Sequence, residues 1–380
     1  MKFIEDINLD NKKVILRLDL NVTIQDGKIL DNTKIVKSLK TINYLLDHNC
    51  RVLIMSHLGR IKTLEDKLRN SLEPVSLELS KLLGKNVCFI PETRDIVPTI
   101  LDNHQICLME NTRYEDLEDK KESGNDPELA KYWASLGEVF INDAFGTSHR
   151  CHASNNGISK YLESGYGYLI KEELDGLNPV VNDIKRPFTV IMGGAKVDDK
   201  IQLIKAMLNE CDNLIVGGGI ANTFLKAKGY EIGTSLFSAD YVDQVKELLD
   251  NYSSKIVLPV DVVININDNI STIDVKNLTE GAIYDLGPKS LQVIRDILDE
   301  SETVFMNGTV GMYEDERYKQ GTIELLEILR RCNNIKIAGG GDALASVNTL
   351  GYQDAFNFLS TGGGATLEYI EAKRLKCFDE

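Results

Sequence analysis

The sequence predicts an α/β protein of two domains, each built on a parallel β-sheet covered by helices. Three observations carry this expectation. Short β-branched and aliphatic runs recur along the whole chain, stretches of helical period separate them, and many runs end in glycine-rich or charged loops. Strands that alternate with helices make parallel sheets buried on both faces. In such sheets ligands bind at the carboxyl ends of the strands. The length of 380 residues also exceeds what one hydrophobic core usually organises.

The first set of strand-like runs is VILRL at 14–18, VLIM at 52–55, ICLM at 106–109 and VFI at 139–141. The second set is FTVIM at 188–192, LIV at 214–216, IVL at 256–258, VFM at 304–306 and IKI at 335–337. Helical spacing lies between them, as from Ile201 to Leu208 and from Thr322 to Leu329. From Leu169 to Ile184 the apolar residues again fall at helical spacing, and Arg186-Pro187 breaks the pattern before a new strand. A connecting hinge helix over 169–185 is therefore expected between an N-terminal domain, 1–168, and a C-terminal domain, 186–362.

Hydrophobic residues make up 43% of the chain and charged residues 27%, ordinary values for a soluble globular protein. The start, MKFIEDINLD, is interrupted by charge before any apolar run forms, unlike a signal peptide. No apolar run approaches the length that spans a bilayer. Seven cysteines are scattered singly without a C-x-x-C pair, which points to a reduced, cytoplasmic protein. The net charge of −15 disfavours nucleic acid and anionic membranes as partners. An anionic ligand must then bind in a local basic pocket.

In the second half, FTVIM runs into Gly193-Gly194-Ala195-Lys196-Val197-Asp198-Asp199-Lys200. Paired glycines after a strand let the backbone approach a phosphate, and a following helix N-terminus offers free N–H groups. Lys196 and Lys200 are four apart, so a helix would place both on one face. A solvated lysine face is the plainer explanation, but the strand–Gly-Gly–Lys context favours phosphate binding. Three more clusters follow at Gly217–Gly219, Gly339–Gly341 and Gly362–Gly364. Asp342, directly after its cluster, suits a Mg²⁺ shared with phosphate oxygens. Neither a P-loop pattern nor a dinucleotide fingerprint after a strand is present.

In the first half, four strand ends carry basic residues. Arg17 and Asp19-Leu20-Asn21 follow the first, Ser56-His57-Leu58-Gly59-Arg60 the second and Glu110-Asn111-Thr112-Arg113 the third. The segment from Asn142 to His152, with His149 and Arg150, follows the fourth. Arginine is suited to gripping phosphate or carboxylate through its planar fork. Singly, each arginine is more often a surface ion-pair partner, yet four basic loops on successive strand ends favour one anion pocket. His149, Cys151 and His152 match the usual zinc spacings poorly, and hydrogen-bonding histidines are the preferred reading.

These motifs give the chain a resemblance along nearly its whole length to the phosphoglycerate kinase family. The pieces in order are Arg17-Leu18-Asp19-Leu20-Asn21, SHLGR at 56–60, NDAFGTSHR at 142–150, GGAKVDDK at 193–200, LPVDVV at 258–263, DLGPK at 285–289, GGGD at 339–342 and STGGGA at 360–365. The resemblance implies two Rossmann-like domains, phosphoglycerate on the first and Mg-nucleotide on the second. The segment 363–380 would return to the first domain. It implies that Asp19, Asn21, His57, Arg60, Arg113 and Arg150, with Lys34, contact phosphoglycerate. Gly193, Lys196, Lys200, Gly218, Asn307, Glu314, Gly339, Gly340, Gly341 and Asp342 would serve the nucleotide, its metal or the moving phosphoryl group. Lys34, Lys196 and Lys200 are the expected catalytic residues. The expected partners are 3-phosphoglycerate or 1,3-bisphosphoglycerate and ADP or ATP, acting on a monomer.

The chain also departs from the family pattern. Lys34 stands where the family has an arginine, Thr23 replaces a proline, and Met306, Thr309 and Ala343 replace the family's Trp, Pro and Thr or Ser. Two rival readings follow: an acyl-phosphate kinase for another hydroxy or phospho acid, or a catalytically weak binding protein on the same scaffold.

Overall fold

The computed structural model describes residues 1–97 and 99–378. It divides into two compact units. One runs over Met1–Leu174 and includes the residues from Leu375 onward; the other is Asp175–Arg374.

In the first unit the strands are β1 (Lys13–Leu18), a short hairpin of β2 (Ile24–Gln25) and β3 (Lys28–Ile29), β4 (Arg51–Met55), β5 (Cys88–Ile90), β6 (Ile106–Met109), β7 (Val139–Asp143) and β8 (Glu163–Tyr166). Six of them form one sheet in the order β5-β6-β4-β1-β7-β8, and every pairing is parallel. The period of two sorts β1 between two cores. Val14, Leu16 and Leu18 join a cluster with Ile35, Ile42, Val52 and Ile54. Ile15 faces the other way, with Leu53, Met109, Trp133 and Phe140. Both faces are dry, so the central strands read as continuous apolar runs rather than alternating ones.

The second unit repeats the plan with β9 (Phe188–Met192), β10 (Asn213–Val216), β11 (Ile256–Val257), β12 (Asp261–Ile266), β13 (Asn269–Asp274), β14 (Ala282–Leu286), β15 (Thr303–Asn307), β16 (Ile335–Gly339) and β17 (Phe358–Ser360). Its parallel sheet has the order β11-β10-β9-β15-β16-β17. The remaining three strands form an antiparallel sheet, β13-β12-β14, with its own small core of Val262, Ile264, Val275 and Leu278.

The α/β class and the central strands agree with the sequence reading, and the differences are local. The helix expected over 169–185 is Tyr168–Val181. It stops early because Asn182 and Asp183 both donate backbone N–H to the Asn178 carbonyl, closing the last turn. The division between units falls inside this helix, at Leu174/Asp175. At the other end, Gly364–Ala372 is a helix of the second unit, and only the chain from Leu375 belongs to the first, against an expected 363–380. Leu375 is fully buried there, Cys377 N–H donates to the Ser148 carbonyl at 3.1 Å and Tyr166 Oη donates to the Cys377 carbonyl at 3.2 Å. The antiparallel sheet and the edge strands β5, β8 and β17 were not foreseen. The edge strands are short or polar, as in Glu-Ser-Gly-Tyr for β8, whereas β12 of the antiparallel sheet is six residues of DVVINI.

Trp133 is the largest fully buried side chain, and its Nε1–H donates to the Thr93 carbonyl at 2.8 Å. Trp133→Phe should leave that acceptor unpaired in a dry core, costing about 1–3 kcal/mol. Urea unfolding followed by circular dichroism reads this directly. An unchanged midpoint would show that the Thr93 carbonyl finds another donor.

Candidate functional site

The first cluster of expected residues lies at the carboxyl edge of β6-β4-β1-β7, four adjacent strands. Parallel pairing brings their ends together, and the loops that follow are tied to one another. Asn21 Oδ1, after β1, accepts the Gly59 N–H after β4 at 2.9 Å. Asn111, after β6, accepts the Leu58 N–H at 3.1 Å and donates to the Leu58 carbonyl at 2.7 Å. These side-chain amides replace a ladder where the strands have ended.

Charge is dense here. Lys34 enters on the first turn of the helix Thr33–Asp47 and its Nζ lies 2.9 Å from Asp19 Oδ2. Burial raises the Asp19 pKa, but Lys34, His57 and Arg17 together hold it below the usual carboxylate value. Arg113 is 3.1 Å from Asp116, itself nearly buried. Arg60 and Arg150 are exposed. The sequence put Arg17 after the first strand; it lies within β1, fully buried. Sequence reasoning found Asp19 but missed two other carboxylates that balance these cations, Asp116 and Glu122. Both sit in the acidic stretch 115–126, which has the composition of a solvated loop, so composition gave no signal for them.

Two histidines share this environment. Burial, then the charges of Arg17, Arg113 and Lys34, push His57 down to about 3, although Asp19 opposes this. Burial with Arg113, Arg17, Arg150 and His149 does the same to His152. The folded pKa lies below the unfolded value of about 6.5. Their contribution to stability is therefore complete above pH 6.5 and is lost as pH falls toward 3. In NMR titrations of the native protein neither imidazole should titrate between pH 8 and pH 5. A midpoint near 6.5 for either would contradict the charge arrangement described.

The second cluster is at the carboxyl edge of β10-β9-β15-β16, again four adjacent strands. The three strand-end loops after β9, β10 and β15 are laced by backbone bonds. Gly193 N–H donates to the Asn307 carbonyl at 2.8 Å, Gly194 N–H to Thr309 at 2.8 Å and Gly218 N–H to Val310 at 2.9 Å. The approach is so close that a Cβ on Gly193 would lie 2.1 Å from the Thr309 carbonyl oxygen, and one on Gly219 would lie 2.0 Å from that of Ala195. Only glycine fits. Asn307 donates to the Gly339 carbonyl at 2.7 Å, while its Oδ1 is buried without a partner. Gly340, at φ +94°, turns the chain from β16 into the helix Gly341–Leu350, where Asp342 is exposed on the first turn.

Beside these loops is a cavity of about 490 Å³. Its lining includes Gly194, Gly218, Glu314 and Asp342 together with Leu236, Tyr284, Leu286 and Met312. Tyr284 comes from the unforeseen antiparallel sheet and stacks on Tyr318 at 4.4 Å between ring centres. One wall of the cavity thus comes from strands that the sequence did not announce.

One expectation is corrected. Lys196 and Lys200 do not share a helical face, because the helix starts at Ile201 with Lys200 as its cap. Val197 is fully buried and its N–H donates to Ser238 Oγ at 3.2 Å, which holds this stretch in a loop. The two lysines consequently differ. Lys200 Nζ is drawn inward to the Gly193 carbonyl at 2.6 Å, and burial lowers its pKa against the charges of Asp342 and Asp199. Lys196 is exposed and makes no ion pair among the described residues. Among the described residues no group of three or more His, Cys, Asp and Glu is placed to hold a metal ion.

Comparison with known proteins shows which family the chain is similar to. The family model for phosphoglycerate kinase matches residues 4–373. Phosphoglycerate kinase of Fusobacterium nucleatum is 47% identical, with 98% of this chain and 97% of that protein covered. That of Staphylococcus epidermidis is 46% identical over the same shares. Among solved structures, phosphoglycerate kinase from Coxiella burnetii superposes with a TM-score of 0.89 at 35% identity, covering 98% of this chain and 97% of that one. The enzyme from Pyrococcus horikoshii gives 0.84 at 27% identity, covering 99% and 97%. With two glycine- or arginine-rich strand edges of this kind and full-length similarity on both counts, the chain belongs to the phosphoglycerate kinase family.

Proposed function

We propose that this protein catalyses reversible phosphoryl transfer between 1,3-bisphosphoglycerate and ADP, giving 3-phosphoglycerate and ATP. The observation that supports it best is the pair of complementary strand edges. A cationic one carries Asp19, Asn21, Lys34, His57, Arg60, Arg113 and Arg150. A glycine-lined one carries Lys196, Lys200, Asn307, Glu314 and Asp342 beside a cavity of nucleotide size.

In this reading the arginines grip the phosphate and carboxylate of phosphoglycerate, and Asp19 and Asn21 receive its hydroxyl. The paired glycines, Gly193, Gly218 and Gly339 to Gly341, leave room for nucleotide phosphates. Lys200 holds them and Lys196, exposed and without an ion pair among the described residues, balances charge on the moving group. Lys34 does so from the other side. A carboxylate is already ionised at neutral pH, so no general base is required. Transfer then rests on in-line positioning and charge stabilisation. The two ligands are assigned to different units, and transfer requires that they lie in line with water excluded.

Mg²⁺ fits the second cluster. Asp342 is exposed on the cavity wall and free of ion pairs among the described residues, and one carboxylate plus phosphate oxygens is a set this hard cation accepts. Bound there, it would neutralise phosphate charge. The reading is of a cytoplasmic monomer, and seven free thiols support the reducing compartment. A second reading, a kinase for a different hydroxy or phospho acid, is favoured only by Lys34, whose ammonium lacks the planar fork of arginine.

A coupled assay with 3-phosphoglycerate, ATP and Mg²⁺ tests the proposal. Phosphoglycerate-dependent ADP formation is expected; none at high enzyme concentration would overturn it, and retained ADP binding would then favour the second reading. Lys196→Ala should lower kcat by roughly a few hundred-fold, about 3–4 kcal/mol of barrier, with little change in nucleotide affinity. Turnover near wild type would remove Lys196 from the chemistry. Lys34→Arg should change turnover by less than about tenfold, since Lys34 already reaches Asp19. A larger gain would mark the native pocket as impaired.

A further inference from the structure

Glu122 and Ser154 belong to no motif and have no role in the reading above, yet they support its most buried cation. Arg17 is fully buried, where an unpaired guanidinium is strongly disfavoured. Its Nε donates to Ser154 Oγ at 2.9 Å. That hydroxyl donates in turn to Glu122 Oε1, and the Ser154 N–H donates to Glu122 Oε2 at 3.0 Å. Glu122 is itself fully buried; both carboxylate oxygens meet Ser154, and His152 Nδ1 lies 3.9 Å from Oε1. Burial raises the Glu122 pKa, while Arg17 and the Ser154 hydrogen bonds oppose that rise. Nη1 of Arg17 donates to the Leu18 carbonyl, which fixes the plane of the fork from a second side.

The third arm of the fork reaches the substrate pocket. Arg17 Nη2 lies 3.3 Å from His57 Nδ1. A guanidinium has donors only, so Nδ1 has to accept, and in a neutral imidazole the single proton then sits on Nε2. The same cations that surround His57 keep it neutral through the physiological range. The opposite tautomer would set N–H against N–H at Nδ1 and leave a lone pair on Nε2 to face an anion.

We propose that Glu122 and Ser154 are positioning residues for substrate binding: through Arg17 they lock His57 as its Nε2–H tautomer, so that the pocket offers an anionic oxygen a donor rather than a lone pair. The proposal rests on the assignment of this pocket to phosphoglycerate. Neither residue touches the substrate, and neither is legible as functional from sequence.

The test is NMR of the full chain labelled with ¹⁵N-histidine, with the His57 signals identified by their loss in His57→Gln, together with steady-state kinetics. In the ligand-free wild type, His57 should show a protonated Nε2 and a bare Nδ1 from pH 8 to pH 5.5. Ser154→Ala removes only the bridging hydroxyl. It should average the two tautomers and raise KM for 3-phosphoglycerate about tenfold, with KM for ATP within twofold and a smaller effect on kcat. Glu122→Gln, which keeps the shape but not the charge, should move both readouts in the same direction. If that buried replacement does not fold, Ser154→Ala decides alone. A wild-type His57 protonated on Nδ1, or a Ser154→Ala protein with unchanged spectrum and KM, would overturn the proposal. A wild type that does not use 3-phosphoglycerate would remove the substrate assignment, while the ligand-free tautomer would still decide whether the lock exists.

Discussion

A parallel strand cannot return directly to its neighbour, and nearly everything functional in this molecule follows from that constraint. Each crossover must travel back through a helix, so every strand of a sheet ends at the same edge. Backbone N–H groups, helix N-termini and loops collect there, while the opposite edge receives only the ends of helices. Both units use the edge in the same manner. In each, four adjacent strands supply the candidate residues gathered at the two clusters.

The two edges are nevertheless built with different means. In the first unit the strands finish in long side chains, and polar side chains such as Asn21 and Asn111 tie one loop to the next. The anion would be met by guanidinium and ammonium groups. In the second unit the strands finish in glycine, and the loops are joined by their own backbone, close enough that no Cβ fits at Gly193 or Gly219. There the anion would be met largely by N–H groups and by the few charges of Lys200, Lys196 and Asp342. A small polyanionic acid needs forks that fix its orientation, whereas the proposed nucleotide would bring an aromatic base, and Tyr284, Leu286 and Met312 line the cavity beside the second edge.

A protein of net charge −15 gathers cations around one pocket only by compensating them. The compensation is local: Asp19 against Lys34 and Asp116 against Arg113 are half-buried pairs, and Glu122 against Arg17 through Ser154 is fully buried. Exposed ion pairs elsewhere contribute little, a few tenths of a kcal/mol each. Losing one partner of a buried pair is a larger matter, because the other is left as an uncompensated charge in a dry interior. The side effect is chemical. His57 and His152, caught among these cations, are kept neutral and become hydrogen-bonding groups rather than additional positive charges.

The sequence by itself determined the α/β class, the central strands, the glycine- and arginine-bearing loops and hence the family. These are local properties: apolar runs, breaks in period and short motifs whose order along the chain is itself informative. It did not reveal β5, β8 and β17, since short edge strands are held by one neighbour and need no distinctive pattern of their own. It misjudged Lys196 and Lys200, because helical spacing is necessary for a shared face but the anchoring of Val197 by Ser238 decides whether a helix forms. Nor did it single out Glu122, Ser154 or Tyr284. Their importance comes from partners 137, 32 and 34 positions away in the chain, Arg17 to Ser154, Ser154 to Glu122 and Tyr284 to Tyr318, and only the folded packing brings those pairs within reach. Charge compensation in a dry interior is a property of neighbourhood in space, and the tertiary structure alone establishes it.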